Sequence, residues 1–266
     1  MSTCSAIASR RASGPGDRIA SPGWFEHRVL AGNPFEAAAR EELRLLLGET
    51  WRHASGHRLP VAMAAIDSGD GMTTAEVYAF VRRCGAGRAI AVKGQDGLRA
   101  AIGQPAATEV RRNGRKLGGL KVWPVGSSFL KGETYGWLKL ERPTAESGDP
   151  FPAGYVHLPV HAAGEEFCRQ LIAEQLVARA GRNGFRRLEW VKTRGRNEAL
   201  DCRVYARAAA AAVGMDGWGD GRWARMADAL SLPAAEPAPS PDASPSPAAG
   251  AARPRTWLTP RTGWLR

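Results

Sequence analysis

"RLPVAMAAIDSGDGMTTAEVYAFVRRC", residues 58–84, decides the fold. Its first ten residues are a short apolar run ending in an acid, the pattern of a buried strand of a parallel sheet. Ser68 and Gly69 follow at once and turn the chain. "TTAEVYAFVRRC" then reads as a helix, with Thr73 or Thr74 as N-cap. Asp67 thereby stands at the carboxyl end of a central strand, where α/β sheets place their sites. Gly69 permits a sharp turn and close approach of a ligand to the backbone. Asp before Ser-Gly is also a common turn residue, so Asp67 reads either as a site acid or as a local cap.

The same alternation continues outward. "NPFEAAAREELRLLLGETW" (33–51) has helical spacing, with Phe35, Ala38, Leu43, Leu46 and Leu47 as its apolar face. "RAIAVKG" (88–94) and "GLKVWPVG" (119–126) read as strands, the latter after a loop containing "RRNGRKLGG". "YGWLKLE" (135–141) fits strand or helix, and "GYVHLPV" (154–160) fits a strand. "GEEFCRQLIAEQLVARA" (164–180) reads as one amphipathic helix and "FRRLEWVKT" (185–193) as a strand. "GRNEALDCRVYARAAAAAVG" (195–214) reads as the last helix of the body. Strands alternating with helices predict an α/β sheet covered by helices on both faces.

The 266 residues are 44% hydrophobic, enough for a packed core, and carry a net charge of +11 with a pI of about 10.1. Such a balance points to a polyanionic partner, nucleic acid or an anionic membrane surface. No apolar run approaches the roughly 18 residues of a membrane span. The N-terminus lacks the apolar block of a secretory signal, so a soluble, cytoplasmic protein is expected. Cys4, Cys84, Cys168 and Cys202 show no C-x-x-C spacing and read as free thiols in a reducing compartment. Residues 1–24 have a disordered composition, and 25–230 form the folded body. Residues 231–253 are a Pro/Ala/Ser-rich extended linker. The basic tail 254–266, with two tryptophans, reads as a docking tail or a strand returning to the core.

A second acidic candidate opens the last helix. Glu198 and Asp201 lie three apart and share a face, beside the buried stripe of Leu200, Val204 and Ala208. Acids there complement the helix dipole. Asp201, at the edge of apolar surface, is costly to desolvate unless paired or metal-bound. Lys192, Arg194 and Arg196 are available as partners, so a salt bridge and a metal ligand both remain open. Carboxylates that converge on Mg²⁺ are the usual means of cutting a phosphodiester.

Basic residues surround these acids. Arg111, Arg112, Arg115 and Lys116 precede Lys121 around a Gly-rich turn, and Arg186, Arg187, Lys192, Arg194 and Arg196 form a second run. Each run either tracks a phosphate backbone or is a solvated surface. No G-x-x-x-x-G-K-[ST] encodes a P-loop and no G-x-S-x-G elbow occurs. His157 and His161 lie four apart, but Pro159 between them opposes a helical zinc pair.

The series "LPVAMAAIDSGDGMTTAEVYAFVRR", "AIAVKG", "VWPVGSSFLK", "GYVHLP", "EEFCRQLIAEQ" and "LEWVKTRGRNEALDCRVYARAAA" resembles the nuclease portion of the lambda-type phage terminase large subunits, the DNA-packaging proteins. The resemblance covers about residues 28–215, and "RNEALDC" with "VYA" is its most specific piece. It implies an RNase H-like mixed sheet flanked by helices and a two-metal-ion endonuclease using Mg²⁺ or Mn²⁺. It implies cutting of concatemeric double-stranded phage DNA. A small terminase subunit, a separate ATPase motor and the portal or procapsid are its expected partners, with no membrane. Asp67 resembles the family's first catalytic acid and Asp201 the acid of its last helix. Lys131 falls on the lysine of a "VG-x-D-x-x-K"-like segment, and Lys93 is expected to join it in neutralising the cleaved phosphate. Where that segment often carries an acid, this chain has Ser128. Asp96, after the second strand, is the expected substitute as third metal ligand. Glu174 is the weaker one, as a mid-helix acid that would face solvent. The ATPase motor that begins the family's proteins is not found in this sequence. A split terminase, a prophage remnant or a fragment of a longer protein is expected, the alternative to an active nuclease being a non-catalytic DNA-binding remnant.

Overall fold

The computed structural model describes residues 2–10, 21–53, 55–112, 115–158, 163–180 and 185–231. In chain order the strands are β1 (Ser2–Arg10), β2 (Ser21–Leu30), β3 (Thr50–Arg52), β4 (Arg58–Pro60), β5 (Ala64–Asp67), β6 (Ala89–Gly94), β7 (Ala106–Arg112), β8 (Arg115–Val125), β9 (Glu174–Ala180) and β10 (Arg186–Lys192). The helices are α1 (Ala37–Gly48), α2 (Thr74–Cys84), α3 (Ser127–Trp137), α4 (Glu165–Leu171), α5 (Glu198–Ala212) and α6 (Asp220–Ser231). The central sheet has the order β5-β6-β8-β7. β5, β6 and β8 are parallel, and β7 runs antiparallel on the outer edge. Hairpins β1–β2, β3–β4 and β9–β10 pair separately.

The residues of β6 show why helices cover both faces. Side chains alternate across a strand. Ala89 and Ala91 pack with Leu120, Val122 and, from α2, Val77, Tyr78 and Val81. Ile90 and Val92 face the other way, into Val125, Leu130 of α3 and Val204 and Ala208 of α5. Each fully buried Val or Leu there contributes about 1.5–3 kcal/mol. β5 follows the same rule: Ala64 and Ile66 join the α2 face, while Ala65 joins the α5 face. Asp67, two residues after Ala65, is therefore turned toward α5.

Gly126 fixes where α3 begins. A Cβ at this position would stand 2.1 Å from the carbonyl oxygen of Ala100 and 2.6 Å from that of Leu98. Only glycine lets β8 pass this loop and enter α3 at once, with Leu130 buried and Lys131 next to it.

Several elements differ from what the sequence predicts. The run 58–67 splits into β4 and β5, and β5 is an edge strand of its sheet rather than a central one. Within "RRNGRKLGG", residues 111–112 end β7 and residues 115–119 begin β8, with Arg112 paired to Arg115, where a loop was expected. The expected helix over 164–180 ends at Leu171, and Glu174 starts β9, because pairing with β10 overrides local helix propensity. "YGWLKLE" contributes its first three residues to α3. Gly154–Leu158 form no strand. α6 adds a helix after the one expected to be last. β1 pairs with β2 where composition predicted an unstructured segment, its backbone groups being satisfied by that ladder. Beyond Ser231, the linker and tail lie outside the described residues.

Candidate active site at the carboxyl end of the sheet

Asp67 ends β5, and the turn after it is braced by its own side chains. Gly69 N donates to Asp67 Oδ1 at 2.9 Å. The backbone N–H and hydroxyl of the buried Ser68 both donate to the Val92 carbonyl at 2.8 Å. Thr73 takes the N-cap position of α2 without a side-chain cap bond. The Thr74 hydroxyl instead bonds the carbonyls of Ser68 at 3.0 Å and Asp70 at 2.7 Å. Asp67 is thus a turn residue, yet it is also tied to α5, because the Tyr205 hydroxyl hydrogen-bonds its side chain. Burial and the charges of Asp67 and Asp201 push the Tyr205 phenol well above its usual range, so it stays a donor.

Asp201 lies in the first turn of α5, four residues before Tyr205 and on the same face. Burial raises its carboxyl above the usual aspartate range. Lys131 and Lys192 oppose that shift, while Glu174 and Asp67 add to it. These five charges, from β5, α3, β9, β10 and α5, therefore lie within electrostatic reach of one another.

Glu174 is 4% exposed. Its carboxylate receives Lys131 Nζ at 2.8 and 2.7 Å and Asn197 Nδ2 at 2.8 Å. A buried carboxylate is tolerated only when paired and hydrogen-bonded in this way. Asn197 in turn accepts from Lys192 Nζ at 2.7 Å. The Tyr135 hydroxyl donates to the Glu174 carbonyl at 2.5 Å. Lys131 and Glu174, from α3 and β9, thus form one hydrogen-bonded unit with the residues that flank Asp201.

Other candidates fall elsewhere. Strand alternation turns Lys93 to the α2 face, with Ala89 and Ala91, away from Asp201. Asp96 is exposed in the turn after β6, and the carboxylates acting on Asp201 are Glu174 and Asp67. Ser128 is exposed, and its carbonyl accepts from Trp190 Nε1 at 3.3 Å. Arg111, Arg112, Arg115 and Lys116 sit in register in the β7–β8 hairpin; their side chains lie outside the described residues. Lys192 joins the carboxylate cluster, Arg194 is exposed, and Arg196 pairs with Glu198 at 3.4 Å. His157 packs against Phe151 and Tyr155, and His161 lies outside the described residues. Among the described residues, no group of three or more His, Cys, Asp and Glu is gathered closely enough to hold a metal ion.

Glu174 was undervalued by sequence reasoning because the helix pattern runs through it. Asn197 and Tyr205 carried only a spacing signal, four residues to either side of Asp201.

The profile of the terminase large subunit gpA endonuclease domain matches residues 23–223. The large terminase subunit of Enterobacteria phage P21 is 28% identical over 181 residues, 68% of this chain and 27% of that protein. The large terminase subunit of Escherichia phage lambda is 27% identical over 199 residues, 74% of this chain and 28% of that protein. The chain therefore spans about a quarter of the length of these relatives. No solved structure matches it. No helix among the described residues is long and apolar enough to cross a membrane.

Proposed function

The chain belongs to the terminase large subunit gpA endonuclease-domain family, and from that premise we propose that it is a Mg²⁺- or Mn²⁺-dependent DNA endonuclease that cuts concatemeric phage DNA during packaging. The observation that carries the proposal is that the charges of Lys131, Glu174, Lys192 and Asp67 all act on the half-buried Asp201, with Glu174 and Lys131 hydrogen-bonded to each other. The donor set suits a hard divalent cation, since carboxylate oxygens are its preferred ligands. Asp201, held above its usual range by burial and by like charges, is a carboxylate that gains from a nearby cation. Asp67 and Asp201 are the residues that would hold it, with Glu174 rather than Asp96 as the third acid. Such an ion, when bound, supplies an activated water as nucleophile and neutralises charge on the leaving oxygen.

The chain's own groups do the rest. Tyr205 aims Asp67 through its hydroxyl. Asn197 holds Glu174 and Lys192 at once. Lys131 and Lys192 bring positive charge to the side of the cluster where a phosphodiester requires it. The RNase H-like assignment belongs to this reading, supported by acids from a strand end and a helix meeting on one face of a mixed sheet. So do the expected partners: double-stranded DNA, a small terminase subunit, an ATPase motor and the portal or procapsid, within the host cytoplasm.

Conversion of supercoiled plasmid to nicked or linear forms in Mg²⁺ or Mn²⁺, abolished by chelator, tests the proposal. The rival reading is a non-catalytic DNA-binding remnant, favoured by Ser128 at the place of the expected acid. Salt-sensitive DNA binding without metal-dependent cleavage would establish that rival.

A further inference from the structure

The β9–β10 hairpin is rooted in the carboxylate cluster and runs out of it. At its root Glu174 pairs in register with Lys192; outward follow Leu176 with Trp190, Ala178 with Leu188, Arg179 with Arg187 and Ala180 with Arg186. The root is anchored, because Trp190 packs on the Tyr135 ring with centroids 5.0 Å apart. Beyond Trp190, Arg186, Arg187, Leu188 and Glu189 are all exposed, as are Ala178, Arg179 and Ala180 opposite them. Leu188 is 64% exposed and Phe185 81%. Two features set this outer half apart from a merely solvated hairpin. It presents large apolar side chains to water, and it sets Arg179 directly opposite Arg187, where like charges destabilise a sheet. Glu189, 3.6 Å from Arg179, relieves only part of that repulsion.

We infer that this hairpin is an arm that engages duplex DNA alongside the cut, with Arg186 and Arg187, on opposite faces of the ribbon, reaching backbone phosphates on its two sides and Leu188 and Phe185 packing beside them. The inference rests on the nuclease reading of the cluster at the arm's root. A two-stranded ribbon fits the major groove. Arg187 lies five residues from Lys192, about 17 Å at ~3.3 Å per residue. Duplex DNA rises ~3.4 Å per base pair, so the arm meets phosphates about five base pairs from the scissile bond. A polyanion that reaches the carboxylates passes this arm, and its charge offsets the repulsion between the two facing arginines.

The test is binding of the full chain to a fluorescein-labelled duplex, without divalent metal, across about 50–200 mM salt. Arg186→Ala/Arg187→Ala is expected to lower the slope of log K against log salt by about 1.8, at ~0.9 per phosphate contact. Arg186→Lys/Arg187→Lys should keep the slope, and so should Arg222→Ala/Arg225→Ala on α6. An unchanged slope in the first variant, or an equal loss in the α6 variant, overturns the arm. Failure of the unaltered chain to bind duplex overturns the nuclease reading and the arm together. An unaltered chain that binds and cuts, beside an Arg186/Arg187 variant of unchanged slope, overturns the arm alone.

Discussion

Lys131 Nζ stands 2.8 and 2.7 Å from the two carboxylate oxygens of Glu174, a charge pair between the start of α3 and the start of β9. It joins two segments 43 residues apart and gives a buried carboxylate a charged partner. Breaking a buried pair by removing one partner costs about 3–5 kcal/mol, because the other charge is left uncompensated. Lys131→Met is therefore expected to lower unfolding stability by about 3 kcal/mol. Glu174→Gln placed on top of it should restore much of the loss. Urea melts of the two single variants and the double variant check this; additive losses would mean that the pair does not act as a unit.

Asn197 holds Glu174 with its amide nitrogen and Lys192 with its amide oxygen. Groups that orient metal-binding carboxylates typically cost 10–100-fold when removed. Asn197→Ala should slow plasmid cleavage by about that factor while leaving duplex affinity unchanged. A parallel loss of affinity and rate would place Asn197 in DNA binding instead.

Burial, together with Glu174 and Asp67, raises Asp201, against the pull of Lys131 and Lys192. A carboxyl whose pKa is higher in the folded than in the unfolded chain contributes stability fully below the unfolded value, about 3.9. That contribution is lost as pH rises through the folded value, so ionised Asp201 costs stability at neutral pH. Asp201→Asn, in chelator, should raise Tm at about pH 7 and gain less as pH falls toward about 4. A Tm that falls in the variant at neutral pH would show Asp201 stabilised by its partners instead.

Gly126→Ala should destabilise the fold by about 3 kcal/mol, the upper end of overpacking costs. The added Cβ meets backbone carbonyls of Ala100 and Leu98, which cannot rotate aside. Thermal melts check the figure. Gly132→Ala in the same helix, where nothing lies within 4 Å, should be neutral or stabilising.

Much of the frame was legible in local pattern. The alternation of β6 and the stripe of Leu200, Val204 and Ala208 on α5 pack as their spacing requires, and the charge of Asp67 acts on Asp201 from the end of β5. The surroundings of Glu174 are hidden from local pattern for a physical reason. "IAEQLVARA" holds good helix formers and no breaker, so its periodicity continues that of α4. Its strand exists only through pairing with β10, whose register partners lie 6–18 residues away, a non-local term that periodicity does not register. As the first residue of β9, next to α3 and the start of α5, Glu174 meets Lys131 and Asn197. Counting alternation from Ala89 puts Lys93 on the α2 face of β6, a placement that residue type alone does not reveal. The Gly- and Arg-rich composition of "RRNGRKLGG" reads as a loop, yet Asn-Gly between strand-forming runs is itself a hairpin signal.

The central claim is that Asp67 and Asp201 together support metal-dependent cleavage, and the most direct measurement is the nicking rate of supercoiled plasmid by the unaltered chain, Asp67→Asn and Asp201→Asn in Mg²⁺ and in Mn²⁺. The account predicts cleavage by the unaltered chain and a loss of about 100-fold or more in each variant, as removal of several kcal/mol of transition-state stabilisation requires, with duplex binding retained. Cleavage at the same rate in both variants would contradict it.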